Sequence, residues 1–417
     1  MELKRVVVTG MGALTPIGNT LEEYWQGLIN GTPGANNITL FDASKFKTKF
    51  ACEVKNFDAT QYLDKKEARK IDRYTQFALV VSDVAMADGG VNRETVHPAR
   101  TGVVFGSGIG GLITFQNEVM DFAKGDGTPR FNPFFIPKMI LDIAAGQISM
   151  RHNLRGPNFA VVSACASSTN AIIEAVNLIK LGKADIIVSG GSEAVISEAG
   201  VGGFNAMKAM SERNDDPATA SRPYDKDRDG FVMGEAAGIL ILEELEHAKA
   251  RGAKIYCEIA GGGATADAHH ITAPHPEGLG ARNVMLAALE DAGMQPSDID
   301  YINTHGTSTP LGDVAEVKAI MNVFGEHAYN LNISATKSMT GHCLGAAGVI
   351  EAIAAIQAVV HDIVPPTINH FTDDPELDPR LNFTFNKAQK RTVRAALSNT
   401  FGFGGHNACV IVKKFEG

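Results

Sequence analysis

One cysteine and two histidines occur in similar surroundings, each at or just after a predicted strand end and beside small residues. Cys165 follows "FAVVSA", His305 lies in "NTHGTSTPLGD", and His342 lies in "TKSMTGHCLGAAG" before an apolar helix. Loops at the carboxyl ends of parallel strands converge on one rim of a sheet, so we expect these three side chains to be able to meet. A cysteine with two histidines could serve acyl transfer, and the residue types alone do not choose between a peptidase and an enzyme that forms carbon–carbon bonds.

The surroundings of Cys165 favour a nucleophile over a packing residue. A buried cysteine is most often a small hydrophobic side chain. Cys165, however, precedes "ASSTNAI", which predicts a helix N-terminus, where free N–H groups and the positive end of the helix dipole favour a thiolate. Cys343 also neighbours a histidine, but it begins the apolar stretch "CLGAAG" and is interpreted as a core residue.

The order of predicted elements indicates an α/β protein with a buried, largely parallel sheet. Apolar strands such as "RVVVTG" and "ADIIVSGG" alternate with helices such as "NAIIEAVNLIKLG", and a second set begins near residue 256. Because 417 residues exceed the usual size of one core, we expect two halves, residues 1–255 with the cysteine and residues 256–417 with the two histidines. The segments that begin at Ser163-Ala164 and Ser334-Ala335 follow the same order, which is weak support for a duplication.

Composition and charge narrow the function classes. The chain is 44% hydrophobic and 20% charged, which is typical of a soluble globular protein, and its net charge of −9 disfavours general nucleic-acid binding. The segment "MELKRVVVTGMG" lacks the features of a secretory signal and no long apolar run predicts a membrane span, so we expect a cytoplasmic protein without membrane attachment. Five widely spaced cysteines without a C-x-x-C pair disfavour a disulfide framework and a zinc ribbon.

Two short motifs match ligand-binding patterns only in part. "GSGIGG" (106–111) fits a dinucleotide fingerprint, but a helix running into a turn follows it instead of a strand that ends in an acidic residue. "DKDRDG" (225–230) opens like a calcium loop, but Ala236 stands at the twelfth position, where a bidentate acid is needed, and Glu235 misses by one. The adjacent pair His269-His270 lacks the spacing of metal ligands on one helix face. We expect neither a metal nor another cofactor.

Five segments, in this order, resemble the β-ketoacyl-acyl carrier protein synthase family: "SACASS", "SRPYDKDRDGFVMGEAAG", "THGTSTPLGD", "TKSMTGHCLGAAG" and "NTFGFGGHN". The resemblance runs from Val6 to about Lys413. It implies the thiolase fold, an α/β fold of two similar βαβαβαββ halves in a five-layered αβαβα arrangement, usually as a homodimer. It also implies an acyltransferase that elongates fatty acyl chains by decarboxylative Claisen condensation. Two departures lie beside the expected site: "ACASS" (164–168), where "ACTSG" is commoner, and His406 in place of threonine.

The resemblance implies a role for each matching residue. Cys165 would take the acyl chain as a thioester, and His305 and His342 would hold the malonyl thioester and stabilise its enolate. The N–H groups of Cys165 and Phe403 would form the oxyanion hole. The other matches are Lys337 and Glu351 behind the histidines, Thr307 and Thr309 at the phosphopantetheine arm, and Ile109, Phe204 and Phe403 along the acyl pocket or gating it.

The basic segment "KKEARK" becomes a candidate docking site, because the acyl carrier protein is strongly acidic. Lys66, Arg69 and Lys70 lie within this segment, and electrostatic steering supplies the physical reason. Charge pattern alone indicates only a solvated helix face.

Several other interpretations remain open. A polyketide-type ketosynthase or a silent chain-length partner would share the fold, although Cys165 argues against the silent partner. A nucleotide-dependent oxidoreductase would use "GSGIGG". A non-catalytic carrier-binding module would leave both histidines unexplained.

Overall fold

The structure is a computed structural model that describes residues 3–92, 94 and 96–417. The strands in these residues are β1 (Val6–Leu14), β2 (Asn36–Asn37), β3 (Phe50–Ala51), β4 (Thr101–Gly106), β5 (Asn158–Val161), β6 (Ile186–Glu193), β7 (Ala236–Glu244), β8 (Cys257–Ala266), β9 (Tyr301–Asn303), β10 (Asn332–Ser334), β11 (Ile363–Val364), β12 (Gln389–Lys390), β13 (Ala395–Gly402) and β14 (His406–Lys413). The α-helices are α1 (Leu21–Ile29), α2 (Lys65–Ala68), α3 (Arg73–Asp88), α4 (Leu112–Lys124), α5 (Phe135–Met139), α6 (Ile143–His152), α7 (Ser167–Lys180), α8 (Glu198–Ala206), α9 (Leu245–Ala250), α10 (Leu279–Ala292), α11 (Pro310–Phe324), α12 (Lys337–Thr340) and α13 (Ala347–His361).

The two halves of the chain build the same strand order. The main sheet runs β10-β9-β13-β14-β8-β1-β7-β6-β4-β5. Read inward from its own edge of the sheet, each half places its third, second, fourth, fifth and first main-sheet strands in that order. The halves join where Val7 and Val8 of β1 pair with Glu258 and Cys257 of β8. The expected division after residue 255 falls between α9 and β8, and it stays a prediction.

The sheet is mixed, and the prediction of a largely parallel sheet is wrong. β4 pairs in parallel with β5 and β6, and β9 pairs in parallel with β10 and β13. The strands at the centre pair antiparallel instead, because β13 returns into β14 through a hairpin that pairs Gly402 with His406, and β7 lies antiparallel to both β1 and β6. Repeating β–α patterns identify the strands but do not reveal such returns.

The helices complete a five-layered α/β arrangement of the thiolase type. α7 and α13 pack against strands of both halves and form the middle layer. α3 and α6 cover the outer face of the first half, and α10, with α11 packed on it, covers the outer face of the second. The stretch Leu344–His361, which includes α13, is apolar enough to cross a membrane, but 89% of it is buried inside the protein as a core helix.

Corresponding tight turns precede the two middle helices. Ala164, before α7, and Leu344, before α13, have φ angles of 52° and 46°. This left-handed region costs a residue with a Cβ about 1–2 kcal/mol, so tertiary contacts must hold both turns. Ser163-Ala164 follows β5, and Ser334 ends β10, the corresponding strand of the second half. In the second half, α12 and His342 lie between this strand and the middle helix α13.

Candidate active site

A cavity of about 420 Å³ brings Cys165, His305 and His342 together. Cys165 follows β5, His305 follows β9, and His342 lies between α12 and α13. Cys165 and His305 each follow a strand that has a parallel partner, β5 beside β4 and β9 beside β10, and the packing of the two halves brings these strand ends to one cavity. A thiol and two imidazoles in one cavity form a candidate site for acyl-transfer chemistry.

The Cys165 thiol sits at the start of α7, where the strained turn at Ala164 presents it to the cavity. Burial raises the pKa of this thiol to about 12, although the charge of Lys337 and hydrogen bonds from the N–H groups of Phe403 and Cys165 lower it. Burial therefore opposes the thiolate that the helix N-terminus favours. Those two N–H groups nevertheless point at the thiol, as the donors of an oxyanion hole would.

The Phe403 amide reaches the thiol because the hairpin between β13 and β14 passes close to the Cys165 turn. A Cβ on Gly402 would lie 2.6 Å from the Ser163 carbonyl oxygen and 3.2 Å from the Cys165 nitrogen, so only glycine permits this approach. Gly404 and Gly405 then take φ angles of 89° and 75° to complete the turn. The sequence "GFGG" thus serves close contact and turn geometry.

The His305 and His342 rings meet edge to face, with centroids 5.2 Å apart. Burial and the positive charge of Lys337 hold the pKa of both imidazoles well below their usual range, and the His342 charge adds to the effect at His305. Both rings are therefore neutral near pH 7 and can donate one hydrogen bond each. The buried Nδ1 atoms of both rings lack a hydrogen-bond partner among the described residues, which is unusual outside functional sites.

A buried ion pair lies near the histidines. The Lys337 ammonium donates a short hydrogen bond to Glu351, and both side chains are 1% exposed. Burial raises the pKa of Glu351 to about 7, and Lys337 opposes that rise. Lys337 supplies the positive charge that, together with burial, keeps the two imidazoles neutral, and Glu351 holds Lys337 in place.

Glu316, a residue that sequence reasoning missed, holds the His305 backbone. Its carboxylate accepts the N–H groups of His305 and Gly306, both at 2.9 Å, and the side-chain amide of Asn399 at 3.2 Å. Burial raises the pKa of Glu316 to about 7. An acidic residue on the buried face of α11 was the available signal, because an unpaired charge is rarely placed there without a partner.

Glu193 explains the glycine loop that resembled a dinucleotide fingerprint. Its buried carboxylate accepts the N–H groups of Gly108, Ile109 and Gly110 at 2.7, 3.1 and 3.2 Å, and that of Gly345 at 3.0 Å. A protein carboxylate therefore occupies the place that a phosphate would take in a nucleotide-binding loop. The same loop is joined through Glu193 to the turn that begins α13.

The predicted pocket residues divide between the cavity and the cluster behind it. Phe204, Phe403, Thr307 and Thr309 line the cavity, and the two threonine hydroxyls lie 3.0 Å apart. Ile109 does not line it; it packs, like Phe204, against the apolar cluster that contains Cys165. This apolar cluster consists of Ala51, Cys165, Val195, Ile196, Val201, Met210, Phe231, Met233 and Leu344, with partly buried neighbours around it.

The structure places Lys66, Arg69 and Lys70 at the end of α2 and just after it, exposed and outside the cavity lining. The Lys70 ammonium lies 5.6 Å from the centroid of the Phe134 ring.

His406 is exposed at the start of β14, where its Nε2 would meet a Cβ on Gly404 at 2.9 Å. Ser167 and Ser168 are buried at the start of α7.

The calcium-like loop is held by protein groups. The Asp225 carboxylate accepts the N–H groups of Asp227, Phe371 and Thr372, and Arg228 pairs with Asp374 at 2.6 Å. Within residues 3–92, 94 and 96–417, no group of three or more His, Cys, Asp or Glu side chains could hold a metal ion.

Two family models match the chain. The β-ketoacyl synthase N-terminal domain matches residues 3–248, and the β-ketoacyl synthase C-terminal domain matches residues 256–371. The chain is 50% identical over 416 residues to 3-oxoacyl-[acyl-carrier-protein] synthase 2 of Synechocystis sp., covering 100% of this chain and 99% of the relative. The enzyme of the same name from Staphylococcus aureus strain COL is also 50% identical, with 99% of each chain covered.

Solved structures agree with this assignment. The ishigamide ketosynthase/chain length factor superposes with a TM-score of 0.92 at 33% identity, covering 99% of this chain and 100% of that one. A β-ketoacyl synthase from Burkholderia phymatum STM815 gives a TM-score of 0.91 at 35% identity, with the same coverage. The chain therefore belongs to the β-ketoacyl synthase family and has its thiolase-like fold.

Proposed function

We propose that this chain is a 3-oxoacyl-acyl carrier protein synthase of the second type, which elongates an acyl chain by condensing it with malonyl-acyl carrier protein. The convergence of Cys165, His305 and His342 in one cavity, with two N–H groups directed at the thiol, carries this proposal. The 50% identity to curated enzymes of that name along the whole chain supports it.

In the first step, Cys165 takes the acyl group from the carrier protein. Its Sγ bonds to the thioester carbonyl carbon, and the bond from that carbon to the pantetheine sulfur breaks. The Cys165 proton leaves with the pantetheine sulfur, which restores the carrier thiol. The N–H groups of Cys165 and Phe403 stabilise the negative charge that develops on the carbonyl oxygen in the tetrahedral intermediate.

In the second step, the histidines act on the malonyl thioester. The bond to the malonyl carboxylate breaks, CO₂ leaves, and the electron pair forms an enolate that His305 and His342 stabilise by donating hydrogen bonds to its oxygen. The enolate carbon attacks the acyl-Cys165 carbonyl, and the bond from that carbon to Sγ breaks. The released sulfur takes up a proton, as a thiol of high pKa does. Lys337 acts as a positioning residue whose charge, together with burial, keeps the imidazoles neutral, and Glu351 holds Lys337 in place.

The substrate arm and the acyl chain take different directions from Cys165. Thr307 and Thr309, with adjacent hydroxyls in the cavity lining, bind the phosphopantetheine arm. The acyl chain enters the apolar cluster around Cys165 past Phe204 and Ile109, because this cluster matches the polarity of the chain. Phe403 gates the passage with its ring 6.3 Å from that of Phe204.

The carrier protein docks on Lys66, Arg69 and Lys70. These side chains are exposed. Although the whole chain has a net charge of −9, this basic segment attracts an acidic partner electrostatically. A related ketosynthase, AntDE, has been solved in complex with its acyl carrier protein AntF, and that chain superposes with a TM-score of 0.89 at 31% identity.

The protein acts as a homodimer in the cytoplasm. β5 is an edge strand of the main sheet, and Phe159 and Val162 on and beside it are 39% and 56% exposed. An exposed strand edge can pair with another chain, and exposed apolar patches mark interaction sites, so this edge is a candidate contact between two copies. Aromatic residues of the neighbouring segment are also exposed, namely Phe115, Phe122, Phe131 and Phe134. Light scattering should give twice the chain mass, and a monomeric mass would contradict the dimer.

The proposed reaction is tested by incubating the protein with an acyl-carrier thioester and malonyl-carrier protein. We expect equal amounts of CO₂ and 3-oxoacyl-carrier protein, with no requirement for NADPH. Tight NADPH binding without either product would favour the oxidoreductase alternative instead. Comparing saturated acyl chains with 3-oxoacyl chains as primers distinguishes a fatty acid enzyme, which prefers the saturated chains, from a polyketide-type ketosynthase.

A further inference from the structure

One carboxylate, that of Asp72, caps two helices at once. Asp72 precedes α3, and its Oδ1 accepts the Tyr74 N–H in the first turn of that helix at 3.2 Å. Its Oδ2 accepts both the N–H and the hydroxyl of Thr114, in the first turn of α4, at 3.0 and 2.5 Å. Asp72 is 3% exposed.

α4 depends on this distant cap. Its own N-cap position is Gly111, which has no side chain with which to accept an N–H group. The first turn of a helix leaves N–H groups unpaired, and an aspartate that accepts one of them stabilises the helix end. Asp72 therefore fixes where α4 begins.

The first turn of α4 forms part of the wall behind Cys165. Leu112, the first residue of α4, and Ile109, just before it, pack against the apolar cluster that contains Cys165. Neither residue lines the cavity that opens to solvent. An acyl chain attached to Cys165 has to be housed in this cluster, so a longer chain has to displace this wall further.

The two ends of this wall segment are held differently. On one side, Glu193 accepts the N–H groups of residues 108–110. On the other side, α4 is stabilised by the hydrogen bonds that Thr114 donates to Asp72. α4 in turn holds α8, which carries Phe204, because the Gln116 side chain accepts the Ala199 N–H at 2.7 Å and donates to Glu198.

We propose that Asp72 is a positioning residue that sets acyl chain-length preference, because its bonds to Thr114 fix the wall formed by Ile109 and Leu112. The proposal rests on the proposed function, since it concerns the acyl chain carried by Cys165. Weakening the Asp72–Thr114 hydrogen bonds makes the wall easier to displace. Long acyl chains have to displace the wall and short ones do not, so the change favours acylation by long chains.

The test compares acylation of Cys165 by octanoyl- and hexadecanoyl-carrier protein, followed by intact-protein mass spectrometry on full-length protein. Thr114→Val keeps the side-chain shape and the backbone N–H but removes the hydroxyl. We expect the ratio of hexadecanoyl to octanoyl acylation rates to rise about threefold or more, in line with the loss of a hydrogen bond to a charged group. Thr114→Ser restores the hydroxyl and should return the ratio to that of the unmodified protein.

Thr60→Val is the matched control. Thr60 also donates its N–H and its hydroxyl to one aspartate, Asp58, at 2.9 and 2.7 Å, but at an exposed position. In Thr60→Val, the ratio of hexadecanoyl to octanoyl acylation rates should equal that of the unmodified protein. Hydrogen exchange of the peptide covering residues 109–116 should become faster in Thr114→Val and not in Thr60→Val.

Faster exchange in Thr114→Val with an unchanged or lower ratio would overturn the proposal, because Asp72 would then stabilise α4 without selecting chain length. Unchanged exchange together with an unchanged ratio would overturn it as well. If the unmodified protein were not acylated by either thioester, the proposed function itself would fail.

Discussion

The rings of His305 and His342 stand edge to face at an interplanar angle of 89°, although the two residues come from different loops. The His305 loop is fixed by Glu316, and the His342 backbone is fixed by bonds to Val232 and Gly234 at 2.7 and 2.9 Å. Two neutral imidazoles held on separate supports can converge on one oxygen atom. This relationship is the basis of the proposed decarboxylation step.

Replacing either histidine by alanine should suppress malonyl decarboxylation by about a hundredfold, the usual effect of removing one oxyanion donor. Release of CO₂ from malonyl-carrier protein measures the effect, and acylation of Cys165 should persist. His361→Ala, an exposed histidine at the end of α13, serves as control. Full decarboxylation in His305→Ala or His342→Ala would contradict the assigned role.

Replacing Glu316 by glutamine should change how stability depends on pH. Burial raises the pKa of Glu316 from 4.5 to about 7, so as pH rises through this range the unfolded state loses the proton first and the carboxyl increasingly disfavours folding. The free energy of unfolding of the unmodified protein, relative to Glu316→Gln, should therefore fall by about 3 kcal/mol between pH 4.5 and about 7. Urea unfolding measures both proteins.

Glu326→Gln, at an exposed position, should leave that pH dependence unchanged. If the free energy of unfolding changed equally with pH in Glu316→Gln and in the unmodified protein, the raised pKa of the buried carboxyl would be contradicted.

Replacing Gly402 by alanine should slow acylation of Cys165. The new methyl group would meet the Ser163 carbonyl oxygen at 2.6 Å, so the hairpin must move and carry the Phe403 amide away from the thiol. A lost oxyanion donor costs about a hundredfold in rate. Gly146→Ala is the control, because a Cβ at Gly146 has nothing within 4 Å. An unchanged acylation rate in folded Gly402→Ala would remove the Phe403 amide from the mechanism.

Reversing the charges of Lys66, Arg69 and Lys70 to glutamate should raise KM for the carrier protein about tenfold or more and weaken its dependence on salt, while kcat stays close to that of the unmodified protein. Steady-state kinetics at several ionic strengths measure both quantities. Reversing three other exposed lysines, Lys254, Lys387 and Lys390, keeps the net charge change similar and should have a smaller effect. Equal effects of the two triple variants would mean that net charge, rather than this segment, attracts the carrier.

The strands that precede Cys165 and His305 could be predicted from the sequence alone, because an apolar segment is followed by small and polar residues at each position. The sequence also distinguished "GSGIGG" from a nucleotide site, although the reason became visible only with the Glu193 carboxylate in the structure. Local patterns identify strand ends, and parallel strands bring those ends together.

Contacts between distant segments were beyond sequence reasoning. The approach of Gly402 to the Cys165 turn, and the Glu316 bonds to the His305 backbone, depend on how two halves pack. The pKa of the Cys165 thiol likewise depends on distant segments, because the helix terminus that favours a thiolate is local, whereas the burial that raises the pKa comes from the whole fold.

The most direct test of the account is to locate the acyl group on the protein. After incubation with an acyl-carrier thioester, intact-protein mass spectrometry and peptide mapping should find one acyl adduct, on Cys165. Cys165→Ala should carry none and should lose condensation, while it retains some malonyl decarboxylation because His305 and His342 remain. An adduct on another residue, or condensation by Cys165→Ala, would contradict the central claim that Cys165 is the acyl-accepting nucleophile.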